Sequence, residues 1–166
     1  MNFDSRQFRN SLSRFATGVT IVTCMGEDGA PHGVTVNSFS SVSLSPPLVL
    51  FSLDLETRSL AHFQATGGIS INVLAADQSA LSQKFAETGG DKWDDVMWQK
   101  GSTGAPFFEG VVACFDCLPE AVHAGGDHAI FVVRVEDCHG ADGAEPLLFY
   151  NGTYRAIASK TDVAKA

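Results

Sequence analysis

Apolar positions along the chain first recur at helical spacing and then switch to the two-residue rhythm of strands. Asp4 stands as a helix N-cap with Gln7 three residues on, and Phe8, Leu12 and Phe15 follow at spacings of four and three, which predicts one short amphipathic helix. From Thr17 onward β-branched residues take over. Val19-Thr20-Ile21-Val22-Thr23, the turn Gly26-Glu27-Asp28-Gly29 and His32-Gly33-Val34-Thr35-Val36 together read as a β-hairpin. Residues 37–45 form a Ser-rich loop, and Pro46-Pro47, lacking ladder N–H groups, set it apart from the apolar strand Leu48-Val49-Leu50-Phe51. Three helices are expected next. One starts at Ser59 with Leu60 and Phe63 and stops at Gly67-Gly68; one starts at Asp77 with Leu81 and Phe85 and stops at Gly89-Gly90; the third carries Trp93, Val96 and Met97. Between the first two, residues 69–74 alternate as a strand. After Pro106 the pattern is almost all β, over 110–117, 128–138, 147–150 and 153–157, with Asn151-Gly152 as a hairpin turn pair. About eight short strands with peripheral helices predict a mainly β, antiparallel barrel. The single domain is expected to span residues 1–158, and 159–166 to be a frayed tail.

Charge narrows the choice of partners. Lys and Arg number 11 against 19 Asp and Glu, a formal net charge of −8, which argues against nucleic acid or an anionic membrane because both require clustered cations. With 45% hydrophobic and 18% charged residues the composition is that of a globular chain. Neither a positively charged leader nor an apolar run of about 20 residues is present, so a soluble cytoplasmic protein is expected. Cys24, Cys114, Cys117 and Cys138 are read as free thiols.

No Gly-x-Gly occurs, so neither a dinucleotide fingerprint nor a phosphate-binding P-loop is available. The densest chemical signal is the stretch 35–43. Ser38, Ser40 and Ser41 each donate and accept, which suits a polyfunctional heterocycle or a phosphate, and equally suits a Ser-rich loop that caps its own backbone. Arg58-Ser59, between a strand and a helix, suits an anion or a solvated Arg beside a plain N-cap. In Gly125-Gly126-Asp127-His128 an imidazole stands at the start of a strand, fit for proton transfer or for a polar ligand edge, and Asp127 is expected to point away from it. Cys114-x-x-Cys117 lies in a strand, where residues three apart face opposite sides, and has no second such pair, so no metal site is expected there. Nor does it fit a thioredoxin-like redox site, and no Gly-x-Ser-x-Gly elbow supports a serine hydrolase. Trp93 and Trp98 suit helix packing better than a ligand clamp.

Phe15-Ala16-Thr17-Gly18-Val19-Thr20-Ile21-Val22-Thr23, then Gly33-Val34-Thr35-Val36-Asn37-Ser38-Phe39-Ser40-Ser41-Val42-Ser43, Pro46-Pro47-Leu48-Val49, Gly126-Asp127-His128 and the ending from Tyr150 to Tyr154 resemble the flavin reductase-like family. The likeness runs from Phe8 to Tyr154. It implies an FMN-binding split β-barrel, a Greek-key-like antiparallel barrel, working as a homodimer with a flavin near the subunit boundary. It further implies an NAD(P)H:flavin oxidoreductase that uses NADH or NADPH to reduce FMN or FAD and passes the reduced flavin to an oxygenase component. By the same resemblance Thr35, Val36, Asn37, Ser38, Ser40 and Ser41 line the ring and ribityl chain, and Ser52, Leu53 and Asp54 pass beneath the ring. Arg58 and Ser59 meet the phosphate, Lys84 and Phe85 lie toward the adenylate of FAD, and His128 holds the nicotinamide with Thr17 and Tyr154 nearby.

A site of hydroxyls and amides without a catalytic triad suits this chemistry, because close stacking of two rings matters more than a strong acid or base. A second reading is a flavin-binding carrier without steady NADH turnover. An oxidase of the pyridoxamine phosphate type ranks last, for want of a basic cluster to hold a substrate phosphate.

Overall fold

The computed structural model describes residues 3–158; the expected frayed tail lies outside the described residues. The elements in order are α1 (Ser5–Leu12), β1 (Thr17–Gly18), β2 (Thr20–Met25), β3 (Pro31–Val36), β4 (Ser40–Leu44), β5 (Pro47–Asp54), α2 (Leu60–Ala65), β6 (Ile69–Val73), α3 (Ser79–Ala86), β7 (Trp98–Lys100), β8 (Pro106–Phe108), β9 (Ala113–Gly125), β10 (His128–Gly140), β11 (Leu148–Tyr150) and β12 (Thr153–Arg155). The main sheet has seven strands in the order β3-β2-β6-β9-β10-β5-β4, every neighbouring pair antiparallel. It curls until the chain leaving β3 meets β5: Ser38 Oγ donates to Ser52 O at 3.0 Å and accepts from Ser52 N–H at 2.9 Å. This pair of bonds closes the barrel where the β3–β2 edge lacks a ladder partner. A smaller sheet, β1-β11-β12, and the β7-β8 hairpin cover the outside.

Two apolar clusters form on opposite faces of the curled sheet. Inside the barrel Phe51 and Phe131, cross-strand partners, stack with centroids 5.0 Å apart, and Phe63 of α2 meets both edge-on. Outside, Ile21, Leu74, Val111 and Cys114 pack with Phe85 of α3 and Phe108 of the β7-β8 hairpin. β2 is therefore buried on both faces, which is why Val19 to Thr23 reads as a continuous β-branched run rather than an alternating one. Each fully buried Phe stabilises the fold by roughly 1.5–3 kcal/mol.

Asp4 caps α1, its carboxylate accepting from Gln7 N–H at 2.6 Å, as expected. Yet α1 buries no residue: its apolar stripe, Phe8, Leu12 and the following Phe15, faces outward, Phe15 at 78% exposure.

Four expectations change. The third helix, around Trp93, is an irregular turn leading into β7, because Asp95 adopts φ 58° and the Asp91 carboxylate accepts from Trp93 N–H. Part of the Ser-rich loop, Ser40–Leu44, is an edge strand paired with β5. The strand expected to end at Cys117 runs on to Gly125, with register shifts against β10 that accommodate Pro119. The described chain holds twelve strands rather than about eight, the additional ones mostly two or three residues long.

Candidate functional site

The barrel closure places a set of polar groups at the end of β5. Leu53 points into the core and is 1% exposed, so strand alternation leaves Ser52 and Asp54 on the other face. His128, first residue of β10, is the register partner of Asp54. Its Nδ1 lies 2.7 Å from Asp127 Oδ1. Asp127 precedes the strand in a turn made possible by Gly126 at φ 74°, so its carboxylate reaches the neighbouring ring instead of pointing away as a strand residue would. The His128 hydrogen bond, then its charge, holds the Asp127 carboxyl below its usual value. An ionised carboxylate only accepts, so Nδ1 carries the proton, and in the neutral ring Nε2 is left as an acceptor. The His128 side chain is 41% exposed and open to a ligand.

From Asp54 the chain turns tightly, Thr57 N–H donating to Asp54 O, and delivers Arg58 and Ser59 to the start of α2. Both line a cleft of about 710 Å³ together with His32, His62, Phe85, Lys92 and the 87–91 loop. The Ser59 side chain makes no capping bond, so its hydroxyl is available. Gly89, whose φ of 93° favours glycine, lies beside the Arg58 guanidinium; a Cβ there would stand 3.4 Å from Arg58 Nη1. Burial lowers the Lys92 pKa from its ordinary value, Glu87 opposes that, and the Arg58 charge adds to it. Two cations held close at one wall, with Glu56, Glu87 and Asp91 around them, suit an anion that enters the cleft.

The sequence model described as "Flavin reductase like domain" matches residues 12–158. The chain belongs to the flavin reductase-like family. It is 40% identical over 154 residues to the flavin-dependent monooxygenase reductase subunit HsaB of Rhodococcus jostii RHA1, covering 93% of this chain and 78% of that protein. It is 43% identical over 151 residues to the NADH-dependent FMN reductase SmoA of Agrobacterium fabrum C58, covering 91% and 85%. Among solved structures, the NADH:FAD oxidoreductase SgcE6 of Streptomyces globisporus C-1027, in complex with NAD and FAD fragments, superposes with a TM-score of 0.90 at 38% identity, covering 96% of each chain.

Family membership sharpens what each expected residue can offer. Ser38 and Ser52 are brought together, but the Ser38 hydroxyl is spent on closing the barrel. Thr35 Oγ1 donates to Ser82 O of α3 at 2.7 Å, Val36 packs on the inner core, and Asn37 is exposed. Ser40 and Ser41 sit exposed on the edge strand, Ser40 Oγ donating to Ser41 O. Leu53 offers its backbone only. Phe85 is 0% exposed and sits edge-on to Trp93 and Phe108, so it forms a wall rather than a stacking surface. Lys84 Nζ is tied to Asp94 O and is not among the cleft residues. Thr17 and Tyr154 flank Phe149 in the small sheet, a sheet that does not contain His128. Tyr154 Oη is 2.8 Å from Ser82 Oγ. Thr17 Oγ1 is the one buried side-chain polar atom without a partner among the described residues. Cys114 and Cys117 enter opposite clusters, and burial pushes each thiol up to about 12, so they remain unreactive packing residues.

His32, His62 and Lys92 line the cleft without having been singled out from sequence. Lys92 follows Gly89-Gly90, which reads as a helix stop, and the two histidines are thirty residues apart; only the fold joins them.

Proposed function

We propose that this flavin reductase oxidises NADH and reduces FMN or FAD, with the ring against the Ser38–Ser52–Asp54 face beside His128 and the phosphate at Arg58 and Ser59. The observation that carries this reading is the continuity of β5 with α2. Ser52 and Asp54 beside His128 lead through one tight turn into Arg58, Ser59 and the cleft, a path that fits a flat head followed by an anionic tail. The uncommitted Ser59 hydroxyl and the Arg58–Lys92 wall are groups that such a ligand would partner.

Bound flavin supplies the hydride acceptor itself. The residues bind and orient. His128, held by Asp127 through Nδ1–H, presents Nε2 to a donor such as the nicotinamide carboxamide. Arg58 and Ser59 fix the phosphate, so that the two rings meet at one distance and angle. Lys84 and Phe85 are not assigned to the adenylate; His32, His62 and Lys92 line the space beyond the phosphate instead.

The protein acts as a homodimer and supplies an oxygenase component in the cytoplasm. Phe8, Leu12 and Phe15 on one side, and Leu44 at 97% exposure on edge strand β4, are apolar groups that a second copy would cover. NADH and an oxygenase partner follow the named activities of the relatives. Steady-state NADH oxidation with added FMN or FAD tests the assignment. Arg58→Gln raises the flavin dissociation constant roughly tenfold, the loss of one charge-assisted contact. His128→Gln leaves flavin affinity unchanged and raises KM for NADH. Failure of the wild-type protein to oxidise NADH with either flavin overturns the proposal.

A further inference from the structure

We propose that Asp28, His32 and His62 form a binding site for a divalent transition-metal ion of the zinc class on the wall of the cleft. The side chains come from three parts of the fold: the turn between β2 and β3, strand β3, and helix α2. One donor atom from each lies within 4.8 Å of the other two, and His32 Nε2 stands 3.4 Å from Asp28 Oδ1. Two imidazole nitrogens and one carboxylate oxygen suit zinc and its first-row neighbours, whereas magnesium and calcium favour all-oxygen sets.

Two further observations favour a site over a chance cluster. Gly26 lets two of the donors close over its own backbone: a Cβ there would stand 2.3 Å from Asp28 Oδ1 and 2.7 Å from His32 Nε2, so only glycine permits this approach. The Asp28 carboxylate is held in place within the turn by the Ala30 N–H, which donates to Oδ1 at 3.0 Å. The His32 and His62 rings now stack, centroids 3.7 Å apart and planes 14° apart, so their lone pairs lie in near-parallel planes. Capture of an ion turns the half-buried His62 ring about χ2 until its nitrogen converges with the other two donors, replacing a ring stack with coordinate bonds. His32 and His62 both line the cleft, which leaves the remaining coordination positions to water or to an anionic group held there. The ion would tie α2 to the β2–β3 hairpin, and the site does not depend on the flavin assignment.

Isothermal titration of untagged, metal-free protein with Zn²⁺ tests this. One ion per chain is expected with an affinity on the order of micromolar, and no uptake of Mg²⁺. His32→Gln, His62→Gln and Asp28→Asn, each conservative and on a different element, weaken uptake by at least roughly tenfold. Cys138→Ser and His139→Gln, which alter other exposed potential ligands, leave it unchanged. Absence of saturable uptake below about 1 mM overturns the proposal. So does uptake that survives in either histidine variant, or that is lost with Cys138.

Discussion

Replacing Ser38 by Ala removes both bonds by which the chain after β3 closes onto β5, and leaves the Ser52 N–H and C=O without partners. Each bond contributes a net ~0.5–1.5 kcal/mol, and the half-buried setting lets water recover part of the loss, so Ser38→Ala destabilises the fold by about 2 kcal/mol. For a domain of this length that lowers Tm by roughly 4–8 °C. Ser52 contributes only main-chain atoms to this closure, which makes Ser52→Ala the control: it removes a hydroxyl from the same place and shifts Tm by less than about 2 °C. Thermal unfolding followed by circular dichroism, with urea titration to confirm an unchanged m, reads both variants. A Ser38→Ala shift under about 1 °C, or a Ser52→Ala shift of equal size, refutes the claim that this pair closes the barrel.

Three other expectations concern Asp116, Gly33 and the exposed apolar groups. Asp116, 7% exposed, accepts from the Ser102, Thr103 and Ser70 hydroxyls and the Thr103 N–H; burial raises its pKa, but these bonds together bring it below its ordinary value. Its folded pKa is thus depressed, so its contribution is present above about pH 4 and is lost as pH falls through the folded value; Asp116→Asn costs about 2 kcal/mol at pH 7 and flattens the acid limb of a stability–pH curve. A Cβ on Gly33 would sit 2.7 Å from the Phe85 ring, so Gly33→Val destabilises by ~1–3 kcal/mol in urea titration and displaces the cleft wall. Covering Phe8, Leu12, Phe15 and Leu44 in a dimer predicts that Leu44→Asp together with Phe15→Asp shifts the sedimentation coefficient from dimer to monomer.

Element types were legible wherever one period dominated. The Val19-to-Val36 hairpin, the strand before Arg58 and the Asn151-Gly152 turn, both residues at positive φ, follow from β-branched runs and turn chemistry alone. Trp93, Val96 and Met97 also keep a helical spacing, but Asp91 and Asp95 direct the backbone elsewhere, and periodicity does not register a local side-chain bond. Of the candidate site, the Arg58–Ser59 corner and His128 could be picked out because each sets unusual chemistry at the end of a strand, Arg58–Ser59 after one and His128 at the start of the next. The commitments of Ser38, Thr35 and Lys84 to the backbone of Ser52, Ser82 and Asp94 could not, since those partners are ten or more residues away and are set by barrel closure for Ser38 and by the packing of α3 for the other two. The same holds for His32 and His62.

Anaerobic mixing of the purified protein with NADH and either FMN or FAD, followed by loss of the oxidised-flavin absorbance, tests the central claim most directly. The account predicts bleaching much faster than in a protein-free control, slowed in Arg58→Gln at limiting flavin and in His128→Gln at limiting NADH. Flavin that binds, as seen by fluorescence quenching, yet is not bleached by NADH would contradict it and leave a flavin carrier in its place.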